Sequence, residues 1–442
     1  MMSATAASLQ NSDLDAVLTE AKEIFTRRRP ESLARHVEAT AVMPGGNTRS
    51  VLFHGPFPMA VARGEGATIW DADGIRYTNL IGEYTAGLFG HSHPAIRAAI
   101  QRALDTGLNL SAHNLFEAKF ARAVVDRFNA LESVRFTNSG TEANLMAVAT
   151  ATASTGRKTV LVFHAGYHGG LMTFAGGGSP VNVPHRFVLA QYNDIDGAVA
   201  LARENAADLA AILLEPMQGG AGCIPATREF LAALRAVADE TGALLIFDEV
   251  MTSRLSPSGL HGIHGINPDL LTLGKYIGGG MSFGAFGGRA DLMEMYDPRR
   301  PDALPHAGTF NNNTLTMSAG LTAITELFPP EACSALNARG DALRTRLNEA
   351  AQKAGLAVQA TGIGSMINVH PVGGTIRSAA DLKNADPRLR DLLFLDMLER
   401  GFYMARRGFV ALSLMVTQAE LDAFADAFAD WLDARSAVLP RA

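Results

Sequence analysis

The sequence predicts an α/β fold built on a mainly parallel sheet. Three observations carry this. Short apolar runs ending in turn residues recur through the middle of the chain, as "VRFTNSG" (134–140), "TVLVFHAGYHG" (159–169), "AAILLEPMQGG" (210–220), "ALLIFDEVMT" (243–252) and "LLTLGKYIGG" (270–279). Helical patterns lie between several of them, such as "TREFLAALRAVADETG" (227–242), with apolar residues three and four apart and a glycine at the end. Apolar runs without alternation read as strands covered on both faces, the signature of parallel sheets.

The flanking segments read differently. Around the turn "DADG" (71–74), β-branched runs predict a short antiparallel excursion. Towards the end of the chain, helical "LNARGDALRTRLNEAAQKAG" and "QAELDAFADAFADWLDARSA" flank strand-like "GSMINVHP" and "GFVALSL", an α+β pattern. The chain thus divides into an N-terminal segment (1–88), a large domain (89–328) and a C-terminal part (329–442), the two ends together forming a smaller domain.

Composition narrows the function. The chain has 442 residues, 48% of them hydrophobic, and a net charge of −6. No basic stripe favours nucleic acid or an anionic membrane. No run of about 18 apolar residues suits a bilayer, and "MMSATAASLQNSDLDAVLTEAKEIF" has neither the basic nor the apolar region of a leader. Two cysteines far apart, Cys223 and Cys333, indicate neither a disulfide framework nor a metal site, which fits a reducing cytoplasm.

In open α/β sheets ligands bind at the carboxyl ends of the strands, where Ser139, Tyr167, Glu215, Asp248 and Lys275 fall. Lysine is scarce, with six among 38 basic residues, and Lys275 alone stands between an apolar run and a field of glycines. Desolvation would lower its pKa and free the amine that attacks carbonyls; the alternative is a structural lysine capping a strand end. A phosphate-binding P-loop is excluded, because GxxxxGK[ST] requires Gly at 269 and Ser or Thr at 276, where the chain has Asp269 and Tyr276.

In "RFTNSGTEANLMA" (135–147) a strand gives way to a helix through Ser139, Gly140 and Thr141. Free N–H groups and hydroxyls there suit a phosphate, or serve simply as an N-cap. Asp248 follows four apolar residues and needs a cationic partner, either a protonated ring nitrogen or an internal ion pair.

Together these residues resemble the fold-type I pyridoxal 5′-phosphate enzymes, and within them the class III aminotransferases, the family that includes glutamate-1-semialdehyde aminomutase. The resemblance spans nearly the whole chain and is carried by "PGGNTRS" (44–50), "GHSHP" (90–94), "TNSGTEAN" (137–144), "GYHG" (166–169), "EPMQG" (215–219), "FDEV" (247–250), "LGKYIGGG" (273–280) and "GTFNNN" (308–313). It implies pyridoxal 5′-phosphate as cofactor, Lys275 as the lysine that carries it, and Asp248 as the partner of its ring nitrogen. It further implies Ser139, Gly140 and Thr141 at the phosphate, Tyr167 and Val250 on opposite ring faces, and Glu215 and Gln218 near the ring hydroxyl. Thr309 is expected to reach the phosphate of a neighbouring subunit, which requires a homodimer. His91 and His93 have the spacing of a metal pair but no third ligand, and read as a turn feature before Pro94; no metal is expected. His168 reads as a loop support.

Arg49 lies in a glycine-bearing loop beside Val51, Leu52, Phe53 and Phe57, which suits a carboxylate next to a hydrophobic group, or is a surface arginine paired locally. This loop, "GEYTAGLFGHSHP" and "ARRGFVALSL" resemble bacterial aminotransferases acting on β-amino acids, notably aromatic ones such as β-phenylalanine. That likeness implies Arg49 at the donor carboxylate and Arg407 at that of the keto-acid acceptor, 2-oxoglutarate or pyruvate, with ping-pong kinetics. Arg406 and Arg407 stand in tandem, which leaves open which of them enters the pocket. The alternatives are a 2,1-aminomutase needing no acceptor, a transaminase of other amines, and a binding protein that has lost catalysis, against which intact Lys275 and Asp248 argue.

Overall fold

The structure, a computed structural model, describes residues 13–442; residues 1–12 lie outside the described residues. Seven strands form the central sheet: β1 (Ser133–Thr137), β2 (Thr159–Phe163), β3 (Arg186–Ala190), β4 (Leu209–Leu214), β5 (Leu244–Asp248), β6 (Leu270–Gly274) and β7 (Gly284–Gly288). Their order is β1-β7-β6-β5-β4-β2-β3. Pairings from β6 through β3 are parallel, while β7 runs antiparallel to both β6 and β1.

The continuous apolar runs are explained by burial on two sides. Every residue of β2, β4, β5, β6 and β7 is buried. Leu161, Ile212, Leu245 and Phe247 join one core, whereas Val160, Val162, Leu213 and Ile246 join another on the opposite face. Successive residues of a strand thus serve different cores, so the strands lack the regular polar alternation of a sheet with one face in water. The helix Arg228–Thr241 has its first turn capped by Thr227, whose hydroxyl accepts from Phe230 N, and Gly242 (φ 69°) ends it in the left-handed region.

Strands Val61–Glu65, Thr68–Asp71 and Arg76–Asn79 form the antiparallel excursion around the "DADG" turn, and Phe402–Tyr403 adds to it in parallel beside Thr78 and Asn79. A second small sheet joins Gln359–Ile363, Met366–His370 and Phe409–Ala411. The chain's two ends are also tied through the buried Arg29, whose guanidinium meets Glu399 at 2.6 Å and Tyr77 Oη at 2.8 Å. No helix among the described residues is long and apolar enough to cross a membrane.

Candidate active site

The carboxyl ends of β1, β2, β4, β5 and β6 open on one edge of the sheet. Lys275 follows β6 directly with φ 55°, a backbone region that side chains ordinarily avoid. Burial of its ammonium pulls the pKa down to about 8; the Asp248 carboxylate works against the shift, Arg49 and Arg407 add to it, and Glu83 opposes it. All four charged side chains are therefore within electrostatic reach of the lysine.

Asp248 ends β5 and is buried. Its Oδ2 accepts from Asn144 Nδ2 at 2.8 Å and from His168 Nδ1 at 2.9 Å, and its Oδ1 accepts from Val250 N at 3.0 Å. Thr272 Oγ1 donates to Asn144 Oδ1 at 2.7 Å and so fixes which way the amide points. Both open alternatives for Asp248 bear on this arrangement: an internal partner, His168, is present, and the carboxylate's charge is still felt at Lys275. The His168 backbone supports its loop, donating to Met172 O, while the ring turns to Asp248 and leaves Nε2 buried without a hydrogen bond.

Glu215 lies just past β4, its Oε1 accepting from Tyr167 N and its Oε2 from Gly219 N, each at 3.0 Å. Burial pushes its carboxyl up to about 7, the cationic form of His168 opposing and Asp248 reinforcing the shift. Gln218 donates through Nε2 to His164 O at 2.9 Å, and its buried Oε1 has no partner. Tyr167 is half-exposed at the mouth of the site.

Val250 closes against two glycines. A Cβ at Gly140 would lie 2.8 Å from its methyl carbons, and one at Gly274 would lie 3.0 Å away, so any larger residue there would displace the valine. At the helix Gly140–Thr155, Ser139 Oγ accepts from Glu142 N at 3.2 Å, so the N-cap reading holds for that residue. The first-turn N–H groups of Gly140 and Thr141 have no acceptor within the helix and remain suited to an anion.

Thr309 stands apart. It is exposed and lines, with Leu108, Leu110 and Phe310, a cavity of about 810 Å3 that none of the other expected site residues borders. A single chain does not bring it to Lys275.

The tandem arginines separate. Arg406 is held by Asp391 through Nε at 2.5 Å and Nη2 at 3.0 Å, whereas Arg407 lies 5.0 Å over the ring of Tyr84. Arg49, about half-exposed, lies 6.0 Å from the same ring and is paired with Glu83. His93 caps the helix Pro94–Thr106, its Nδ1 accepting from Ala95 N at 3.2 Å, and His91 Nε2 meets Asn79 Nδ2 at 3.0 Å, both as turn features.

Sequence reasoning assigned no role to Asn144, Thr272, Glu83 or Tyr84. Asn144 and Thr272 carried a signal, as polar residues within otherwise apolar buried patterns; Glu83 and Tyr84 carried none, because their backbone conformation depends on the fold.

The site's chemistry fits pyridoxal 5′-phosphate, with a buried carboxylate for a ring cation, an amine of lowered pKa for an aldehyde, and a helix start for a phosphate. Residues 53–432 match the family model described as Aminotransferase class-III. The chain is 52% identical to a beta-phenylalanine transaminase of Variovorax paradoxus, covering 97% of this chain and 99% of that protein. It is 34% identical to a glutamate-1-semialdehyde 2,1-aminomutase of Heliobacterium modesticaldum, covering 87% and 92%. Among solved structures, a beta-phenylalanine aminotransferase from Variovorax paradoxus superposes with a TM-score of 0.96 at 52% identity, over 97% of this chain and all of that one. The sheet edge with Lys275 and Asp248, the match across the chain and these likenesses agree: the chain belongs to the class III aminotransferases and is a fold-type I enzyme dependent on pyridoxal 5′-phosphate.

Proposed function

We propose that the enzyme moves the amino group of an aromatic β-amino acid, of the β-phenylalanine kind, to a keto acid such as 2-oxoglutarate or pyruvate, in alternating half-reactions. The observation that carries this reading is the pair of guanidinium groups, Arg49 and Arg407, at 6.0 and 5.0 Å from the one ring of Tyr84, with both charges felt at Lys275. Arg49 binds the donor's carboxylate and Arg407 the acceptor's. The likeness to a beta-phenylalanine transaminase at 52% identity supports the choice of donor.

When bound, the cofactor supplies an aldehyde that takes the amino group and a ring that stores the electrons released on proton removal. Lys275 Nζ, drawn towards its neutral form, takes the proton from the amine-bearing carbon and later returns it. Asp248, oriented by Asn144, His168 and Val250 N, holds a positive charge at the ring nitrogen. Tyr167 and Val250 enclose the ring, and Glu215 and Gln218 stand at its hydroxyl side. Ser139, Gly140 and Thr141 hold the phosphate, completed by Thr309 of a second copy. The enzyme works as a homodimer in the cytoplasm. The domain division at 88 and 328 belongs to the same reading, supported by the pairing of Phe402–Tyr403 with the N-terminal sheet.

The test compares wild type and Arg49→Ala on β-phenylalanine and on 1-phenylethylamine, with 2-oxoglutarate or pyruvate as acceptor. Loss of a charge-assisted contact should lower kcat/KM for the acid by on the order of 100-fold and spare the amine. Equal loss on both donors removes Arg49 from the donor's carboxylate. Turnover without any acceptor would point to an aminomutase instead.

A further inference from the structure

Arg49 already has a partner. Its Nη1 donates to Oε1 of Glu83, and both side chains are about half-accessible, 45% and 57%. Glu83 begins a run of three non-glycine residues in the left-handed region, with φ 48° at Glu83, 51° at Tyr84 and 81° at Thr85. Such a run persists only where its surroundings impose it. Here Asn79 Oδ1 accepts from Ile81 N and Gly82 N at 3.0 and 3.3 Å, and Gly87 N donates to Gly82 O at 2.9 Å. A Cβ on Gly82 would meet Ala411 O at 2.9 Å. The turn presents two successive side chains to the arginines. Tyr84 is buried, stacked on Phe409 at 5.7 Å, and lies beneath both guanidinium groups, while Glu83 reaches Arg49 from the open side.

We propose that Glu83 is a resident counter-ion of Arg49, released when the donor's carboxylate takes its place; this rests on the reading that Arg49 binds that carboxylate. The exchange breaks no covalent bond. One carboxylate leaves the guanidinium as another arrives, so Arg49 has a counter-ion both before and after donor binding. Tyr84 keeps its contact with Arg49 throughout and preserves its position. An amine donor without a carboxylate leaves the Arg49–Glu83 pair intact, so the pocket admits it without stranding Arg49 as an unpaired cation. Glu83 thereby determines specificity: it weakens acids by competing with them and permits donors that lack a carboxylate.

The test uses the cofactor-loaded enzyme and 3-phenylpropanoate, which has the donor's carboxylate and ring but no amine, with binding measured calorimetrically beside KM for β-phenylalanine and 1-phenylethylamine. Removing a half-exposed competitor in Glu83→Gln should tighten 3-phenylpropanoate by about two- to five-fold and lower KM for β-phenylalanine similarly. The KM for 1-phenylethylamine should not fall. In an Arg49→Ala background, Glu83→Gln should have no effect on the acid. Glu83→Asn, which accepts the left-handed backbone more readily, should behave in the same way and covers the case of a Gln variant that folds poorly. Unchanged or weaker binding of 3-phenylpropanoate in both variants, with Arg49→Ala still losing it, overturns the role of Glu83 alone. Full binding in Arg49→Ala overturns the donor reading and this inference together.

Discussion

Lys275 has a protonation state set by its position. With a pKa near 8, about a tenth of the lysine is free amine at pH 7, against well under a thousandth for an unperturbed side chain. Cofactor uptake by the apoenzyme requires the neutral amine, so the rate at which visible absorbance develops should rise about tenfold between pH 7 and 9 and then level off. The sign follows from the shift: lowering the pKa makes the reactive form available from lower pH. A rate still climbing in proportion to hydroxide at pH 10 would mean an unperturbed lysine, and Lys275→Ala should gain no absorbance at all. At this scale the sequence was informative wherever chemistry and pattern conflict: an ionisable residue after an apolar strand, as at 248 or 275, signals its own cost. It was silent on partners. That Asp248 meets Asn144 and His168 follows from three separate segments converging, which no local pattern encodes.

The strand β7 shows what spacing alone conceals. "GAFGG" has poor strand propensity, since glycine loses more freedom on folding than any other residue, and no pattern in the run marks it as a strand. Its glycines are there because neighbours leave no room: a Cβ at Gly284 would lie 2.1 Å from Ser139 O, and one at Gly288 would lie 2.1 Å from Asp269 O. β7 joins β1 to β6, and so sets the distance between the helix start at Ser139 and Lys275. Gly284→Ala should therefore lower stability by about 1–3 kcal/mol and weaken cofactor binding, checked by denaturant unfolding and cofactor titration. A variant with wild-type values of both would show that the strand can shift freely. By contrast, β2, β4, β5 and β6 were legible because burial on both faces demands continuous apolar residues. The helix from 228 to 241 was legible through its cap, its periodicity and its terminal glycine.

Across the whole molecule, apolar side chains cluster where Thr309 lies. Leu108, Leu110 and Phe310 are exposed around one cavity and Leu115 is 84% accessible nearby in sequence, more apolar surface than a lone subunit needs to show. Light scattering should give twice the chain mass for the wild type, and Leu115→Asp with Phe310→Asp should yield a monomer that loses cofactor more readily. A monomer with undiminished cofactor affinity and activity would exclude Thr309 from any shared site. The parallel pairing of Phe402–Tyr403 with Thr78 and Asn79 bears on how the enzyme is made. About 320 residues separate these partners, and a ribosome adding roughly 5–20 residues per second needs about 16–64 s to supply them. For that interval the edge of Arg76–Asn79 has no such neighbour, and Arg49 emerges long before Arg407 exists to share the ring of Tyr84 with it. Both arginines can be set in place only after nine-tenths of the chain has been synthesised, so until then the nascent chain lacks the strand that covers this edge, and an uncovered edge is the part of a sheet most open to pairing with another chain.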